Sequence, residues 1–326
     1  METRATWTDL VGGVGLEIAE VHNQAMEEYI PGISNLLIKT SEGSKAEKNF
    51  TGKTGAGRLS KFDGDGENIG TTRRYKTYNT KVNYTNYGEA IEVSKNQIED
   101  RDFDNELDEM KDLTIAANFS QDESGMQLFN GGFATTVAVN GYDMTWYGDA
   151  KPQFSTVHPS TVPGASTQSN ASSTGIAFGD DNLEIGKLAL RLQQTDDGLP
   201  MSLLGKETLV GPENLDKEMI QVTESVLVSE NANNALNVYK GNIDVVTSMF
   251  LDNTNANTGY GNSAWYLIVP GRTRIYHEVR QTPRMESEVN IRNKVATYTV
   301  DARWANYSKG WQRSWASKGD LIAYSS

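Results

Sequence analysis

Residues 71–119 read "TTRRYKTYNTKVNYTNYGEAIEVSKNQIEDRDFDNELDEMKDLTIAANF", and the change of period inside this stretch decides the fold. Its first part alternates. Tyr75, Thr77, Asn79 and Lys81 fall on one face, with Tyr78, Thr80, Val82 and Tyr84 mostly on the other, the period-two pattern of a half-buried strand. Its second part turns helical. Ser94 stands as a cap, and Leu107, Met110, Thr114 and Ala117 recur at spacings of 3, 4 and 3. A helix from about 95 to 129 would span roughly 50 Å at about 1.5 Å per residue.

Upstream, residues 39–70 are rich in glycine and poor in aliphatic side chains, too poor for a core of their own. With the alternating segment up to Gly88 they predict a long, projecting two-stranded hairpin. A lone hairpin is marginal in water, so this one requires a supporting surface. Its charge is uneven with respect to the helix. Residues 51–88 carry seven basic and three acidic side chains, whereas residues 96–125 carry ten acidic and two basic. A solvated helix face and an electrostatic docking surface both account for the acidic run.

Working outward, Ile18, Val21, Ala25 and Tyr29 predict a short amphipathic helix over 14–29, stopped by Pro31-Gly32. Residues 130–180 form a Gly/Ser/Thr region with strand-like pieces at Thr135–Val139 and Met144–Tyr147. The loop "FSTVHPSTVPGASTQSN" (154–170) follows them, with its His158-Pro159 step. Helix 181–195 carries Ile185, Leu188, Ala189 and Leu192 on one side. "ETLVGPENLDKEMIQVTESVLVSE" (207–230) then reads as strand, Gly-Pro turn and helix, with Leu215, Met219, Val222 and Val226 in step. Residues 242–250 and 264–269 read as buried strands. The closing "KVATYTVDARWANYSKGWQRSWASKG" reads as a strand pair with Trp304, Trp311 and Trp315. The fold class is α+β.

At 326 residues, 37% hydrophobic and 22% charged, the chain is long enough for one large core or two smaller ones. It has no cysteine, so disulfides and thiolate metal sites are excluded. No apolar run of about 18 residues occurs and the start lacks a leader pattern, so the expectation is synthesis in the cytosol and no membrane span. A net charge of −13 disfavours tight binding to phosphate backbones. The chemical motifs fail one by one. Gly52-Lys53-Thr54 resembles a phosphate-binding loop but has Glu47 where the first glycine belongs. "FDGDGENIG" resembles a calcium loop but has Arg74 where the bidentate Glu belongs. A Ser-His-Asp hydrolase built on His158 has no nucleophile elbow to support it, and His158 reads as a turn or surface residue. No catalytic residue, cofactor or metal ligand is assigned.

The order of elements, with "LFNGGF" (128–133), "FSTVHP" (154–159) followed by "QSNASSTG", "DGLPM" (197–201), "ETLVGPENLDKEM" (207–219) and "VDARWANYSKGWQRSW" (300–315), resembles the major capsid proteins of tailed bacteriophages. That is the Hong Kong 97 fold, and within it the Mu-like T head-subunit type. The resemblance implies an N-terminal arm at 1–50 and an extended loop at 51–92 lying over a neighbouring subunit. It further implies a peripheral domain with spine helix at 93–180, an axial domain at 181–268 and return strands to the peripheral domain at 269–326. It implies a non-enzymatic shell subunit of the virion, assembled in the host cytoplasm into hexamers and pentamers around double-stranded DNA, without sequence-specific binding. The implied partners are further copies of itself, a portal protein, a separate scaffold protein and a decoration protein. Within that reading Lys53, Arg58, Lys61, Arg73, Arg74 and Lys76 of the hairpin would meet Asp104, Asp108 and Glu109 of a neighbour's helix. An encapsulin-type compartment is the alternative in the same fold, and the His158 hydrolase the alternative from another class.

Overall fold

The computed structural model describes residues 7–29, 32, 37–43, 45–55, 59, 61, 64, 71, 74–100, 104–135, 138–139, 141–201, 205–226, 236–251, 261–290 and 292–322. Its larger sheet has six strands. β10 (Ile275–Asn290) and β11 (Val295–Ser308) form a long antiparallel pair. Parallel β1 (Lys39–Glu42) lies on the outer side of β10. On β11 lie antiparallel β4 (Thr85–Ser94) and then parallel β6 (Tyr142–Thr145), which β5 (Ala138–Val139) extends. Along β11 the alternate residues Ala296, Tyr298, Val300, Ala302 and Trp304 are all buried, as the period-two rule requires of a strand with one face on a core.

The helices lie on that face. α1 (Trp7–Glu28) begins earlier than its sequence pattern suggested. The predicted long helix is described as two pieces, α2 (Lys95–Asp100) and α3 (Asp104–Asn130). α2 opens on a reciprocal cap: Gln97 N–H donates to Ser94 Oγ at 3.4 Å, and Ser94 N–H donates to Gln97 Oε1 at 2.9 Å. Met110 and Thr114 of the expected stripe are fully buried, and Leu107 and Ala117 partly so. Further along α3, Ser124 to Asn130 are buried without interruption. There the small Ser124 admits Trp304, whose Nε1–H donates to its hydroxyl at 2.8 Å.

The smaller, four-stranded sheet runs β12 (Ser314–Ser317), β9 (Trp265–Ile268), β7 (Glu207–Pro212), β8 (Ile243–Ser248). α4 (Asp180–Arg191) and α5 (Asp216–Glu224) flank it. The strand-then-helix order read over 207–230 holds as far as Glu224, but Gly211-Pro212 closes the strand itself, and Val226 of the expected stripe lies past the helix and is exposed; β9 is buried as read, β8 only in part. The closing strand pair does not. β11 pairs with β10 and β4, while β12 crosses to the other sheet and pairs with β9. A fully buried face of aromatic and aliphatic residues, including Phe129, Phe133, Phe154, Tyr266 and Ile268, joins the two sheets.

The hairpin exists as β2 (Glu47–Lys53) and β3 (Lys76–Asn83), paired antiparallel. Pairing ends at Asn83, so residues 85–88, read as hairpin, belong instead to β4 and the large sheet. Most of the loop between the two strands lies outside the described residues. The root of the hairpin rests on its own chain. Val82 is fully buried, and Phe50 stacks on Tyr307 at 5.5 Å between centroids, with Tyr307 stacked on Tyr276 at 5.3 Å. Lys48 pairs with the buried carboxylate of Glu278, which also accepts Tyr307 OH at 2.8 Å. Gly148 lets the backbone of β3 come close, because a Cβ there would stand 2.2 Å from Asn79 O.

α1 is fastened to α3 by a polar seam. Thr114 Oγ1 donates to Met110 O at 2.9 Å and therefore accepts from His22 Nδ1 at 2.8 Å. Asn118 Nδ2 approaches Met26 Sδ at 3.2 Å, and Tyr29 OH donates to Asp122. Burial pushes the Asp122 carboxyl up to about 6 from 3.8, against a lowering contribution from Gly32 N–H. The folded state thus holds this proton more tightly than the unfolded chain. Asp122's contribution to stability is complete below about 3.8 and is lost as pH rises through about 6. His22 has the opposite sense, since burial lowers its pKa and its contribution fades as pH falls. We predict that Asp122→Asn removes the fall in stability between roughly pH 4 and pH 7 that the raised Asp122 pKa produces, leaving the opposite slope from His22. Urea unfolding across that range measures both.

Candidate functional site

Two surfaces and one buried centre hold the residues to which the sequence drew attention. Lys53 and Lys76 sit at the far ends of β2 and β3, exposed, with exposed Arg74 just before β3. Lys61 is exposed in the loop, and Arg58 and Arg73 lie outside the described residues. Asp104, Asp108 and Glu109 are exposed on the first turns of α3. Among the described residues, Lys53, Arg74 and Lys76 form no ion pair with these three acids. Lys53, Arg74 and Lys76 and the three acids are all open to solvent. The acidic row is a solvated face in the single subunit.

α4 presents a second surface, and here the sequence reading is corrected. Leu183, Gly186 and Leu190 are its packed side. A Cβ at Gly186 would meet Trp315 at 2.8 Å and Trp265 at 3.0 Å, so only glycine allows the helix to lie this close to β9 and β12. The other apolar row points outward: Ile185 is 53%, Leu188 56% and Leu192 66% exposed. Three large aliphatic side chains at helical spacing on one open face differ from singly scattered apolar residues, which need no explanation. Leu236 and Val238 add to the apolar surface of this half, at 75% and 71% exposed.

His158 is neither a turn residue in solvent nor a surface one. It is 2% exposed, and its ring lies flat on Trp311, 4.6 Å between centroids at 7°. Nδ1 donates to Asp149 Oδ2 at 2.7 Å. Asn170 Nδ2 donates to Gln153 O at 2.8 Å and to Trp311 O at 3.0 Å, which fixes the amide with Oδ1 toward the ring. His158 Nε2 therefore donates to that oxygen at 3.0 Å, beside Ser155 N–H at 2.9 Å. Both ring nitrogens are occupied by hydrogen-bond partners. A hydrolytic His instead needs a nitrogen lone pair aimed at a nucleophile. The nearby Ser155 hydroxyl is engaged with Val157 N–H at 3.1 Å and Val157 O at 3.2 Å. The centre supplies an acid-histidine pair without a nucleophile. It works as a strut, because Asn170 O also accepts Ala316 N–H at 3.0 Å and so ties the 154–170 loop to β12.

The sequence exposed His158 as unusual but could not supply its partners, which come from positions 149, 170 and 311. Among the described residues no group of three or more His, Asp and Glu side chains is placed to hold a metal ion. No helix of the described residues is long and apolar enough to cross a membrane. Replacing His158 with Phe should keep the stacking on Trp311 but strand the Asp149 carboxylate, which is 6% exposed. Loss of one partner from a buried ion pair costs about 3–5 kcal/mol, and we predict a loss of that order in chemical unfolding, with Asp149→Asn in the His158→Phe background recovering part of it.

No family model matches the sequence, and no curated protein matches it. Solved structures do match. A chain from Mycobacterium phage Patience is 11% identical, covering 98% of this chain and 89% of that one at a TM-score of 0.54. A chain of the capsid of cyanophage P-SCSP1u is 10% identical, covering 87% and 86% at 0.52. A chain of the mature capsid of bacteriophage PhiM1 is 9% identical, covering 88% and 86% at 0.51. The protein is a mixed helix-and-sheet chain with the fold found in these phage capsid structures.

Proposed function

We propose that this chain is the major capsid protein of a tailed bacteriophage, with a fold of the Hong Kong 97 type. It associates with its own copies into hexamers and pentamers of an icosahedral shell that encloses double-stranded DNA. The observation that carries the reading is the extent of the likeness, which runs along nearly the whole chain. The open surfaces agree with it. In this reading α3 is the spine of the peripheral domain. The half built on β7, β8 and β9 is the axial domain, and the outward row of α4 is covered by other subunits around the local symmetry axis. The basic hairpin reaches a neighbour's acidic α3, where complementary charge sets register and speeds encounter. Net charge of −13 suits a container wall that repels phosphate and lets packaged DNA move. Portal, scaffold and decoration proteins complete the proposed set of partners, and the Mu-like T type is the proposed subgroup.

Electron microscopy of the purified full chain tests the reading directly: closed particles are expected, and a compact monomer at high concentration overturns it. Ile185→Glu with Leu188→Glu should abolish particles. Subunit stability should stay within about 0.5 kcal/mol, as is usual for surface positions away from special features. Arg73→Glu with Arg74→Glu should likewise block assembly of a folded subunit, and normal particles from that variant would remove the hairpin from the interface.

A further inference from the structure

Between the side of the hairpin and the body lies a cleft of about 550 Å³. Lys53, Arg274 and Lys309 line it against one carboxylate, Asp196, in a chain whose acids outnumber its bases by thirteen. Lys309 Nζ stands 4.1 Å from the ring centroid of Phe50, 4.2 Å from that of Tyr276 and 5.5 Å from that of Tyr307. The rings attract its ammonium by their faces, yet among the described residues it makes no ion pair and no side-chain hydrogen bond. Burial lowers its pKa; Glu278 opposes this, and Lys48 and Lys39 add to it. Arg274 donates to the neutral Gln312 Oε1 at 3.2 Å and also has no ion pair among the described residues. Behind it stand Arg272 and Arg313, and burial together with the charges of Arg274 and Arg272 lowers the pKa of the Arg313 guanidinium.

Cations gathered and partly dehydrated with no carboxylate in ion-pair contact among the described residues cost free energy that a bound anion would return. A guanidinium fork and an ammonium at one opening suit a group with two or more oxygens. Thr80, on the cleft wall, accepts Gly148 N–H at 3.3 Å and keeps its own hydrogen to donate. We propose that this cleft is an oxyanion site, in which Arg274 and Lys309 bind a carboxylate or phosphate group against the aromatic floor of Phe50 and Tyr276. The site closes the side of the hairpin onto the body, since Phe50 belongs to β2 and Arg274 and Lys309 to the ends of the long strand pair.

The test is titration of the unassembled full-length subunit with inorganic phosphate, with ionic strength held constant by chloride and thermal unfolding as readout. A saturable rise in Tm specific to phosphate is expected. Arg274→Gln with Lys309→Gln should weaken the apparent affinity roughly a hundredfold, the loss of charge-assisted contacts. Lys206→Gln, remote from the cleft, should leave it unchanged. If the double variant does not fold, Lys309→Gln alone is read by the same titration. Absence of a phosphate-specific rise, or a rise of equal affinity in the variants, overturns the proposal. Phosphate added during assembly then distinguishes the sources. A fall in particle yield for the unaltered chain but not for Lys309→Gln identifies a carboxylate from a second copy, and an unchanged yield identifies a free anion. The binding measurement needs no particles, so its failure and the failure of the capsid reading are separable.

Discussion

One strand sets the position of most of the molecule. β11 pairs with β10 along one edge and with β4 and then β6 along the other, so its register fixes three partners at once. Because successive side chains alternate, a slip of a single residue would turn Tyr298, Val300 and Trp304 outward and present Thr299, Asp301 and Arg303 to the helices. The burial of a full row on one face forbids that slip. Trp304 and Asn306 reinforce it from the side, as both donate to Ser124 of α3. The helix is thereby held along the sheet, and α1 is held along the helix.

Local patterns were readable where the chain interacts with itself at short range. Alternation placed Thr80 and Val82 on one face, and that face is the buried one. Ser94 and Gln97 form a cap three residues apart, and the Gly-Pro step that closes β7 carries its own signals. What could not be read depends on distant partners. α4 has two apolar rows at helical spacing, 183/186/190 and 185/188/192, and the sequence alone ranks the bulkier row as the packed one. The decision is made by Trp265 and Trp315, which leave room only for a glycine. In the same way nothing near position 314 announces that β12 leaves the sheet of β11 for that of β9. The His158 loop was visibly unusual and carries the amide of Asn170 itself, while the Asp149 carboxylate and the Trp311 ring that complete the strut lie outside it.

The hairpin shows how a ribbon can be both anchored and free. Its root is held by stacked rings, by a lysine against a buried glutamate and by a close backbone approach, so it does not need a neighbour to exist. At the far ends of its strands Lys53, Arg74 and Lys76 form no ion pair with Asp104, Asp108 or Glu109 among the described residues. Rigid support at one end and exposed charge at the other keep the direction of the ribbon fixed. A ribbon loose from end to end would lose more conformational freedom on contact.

The pairing of early strands with late ones also has a consequence in time. β1 lies beside β10, and Val93 of β4 opposite Ala296 of β11, so the large sheet cannot close until residues 275–308 have been made. At synthesis rates of about 5–20 residues per second, β4 waits roughly 10–40 s for its partner to be translated. Through that interval the pairing edge of β4 has no β11 to cover it and stays open to other strands. Closure of the sheet thus waits on the two late strands, a delay written into topology and independent of any added control.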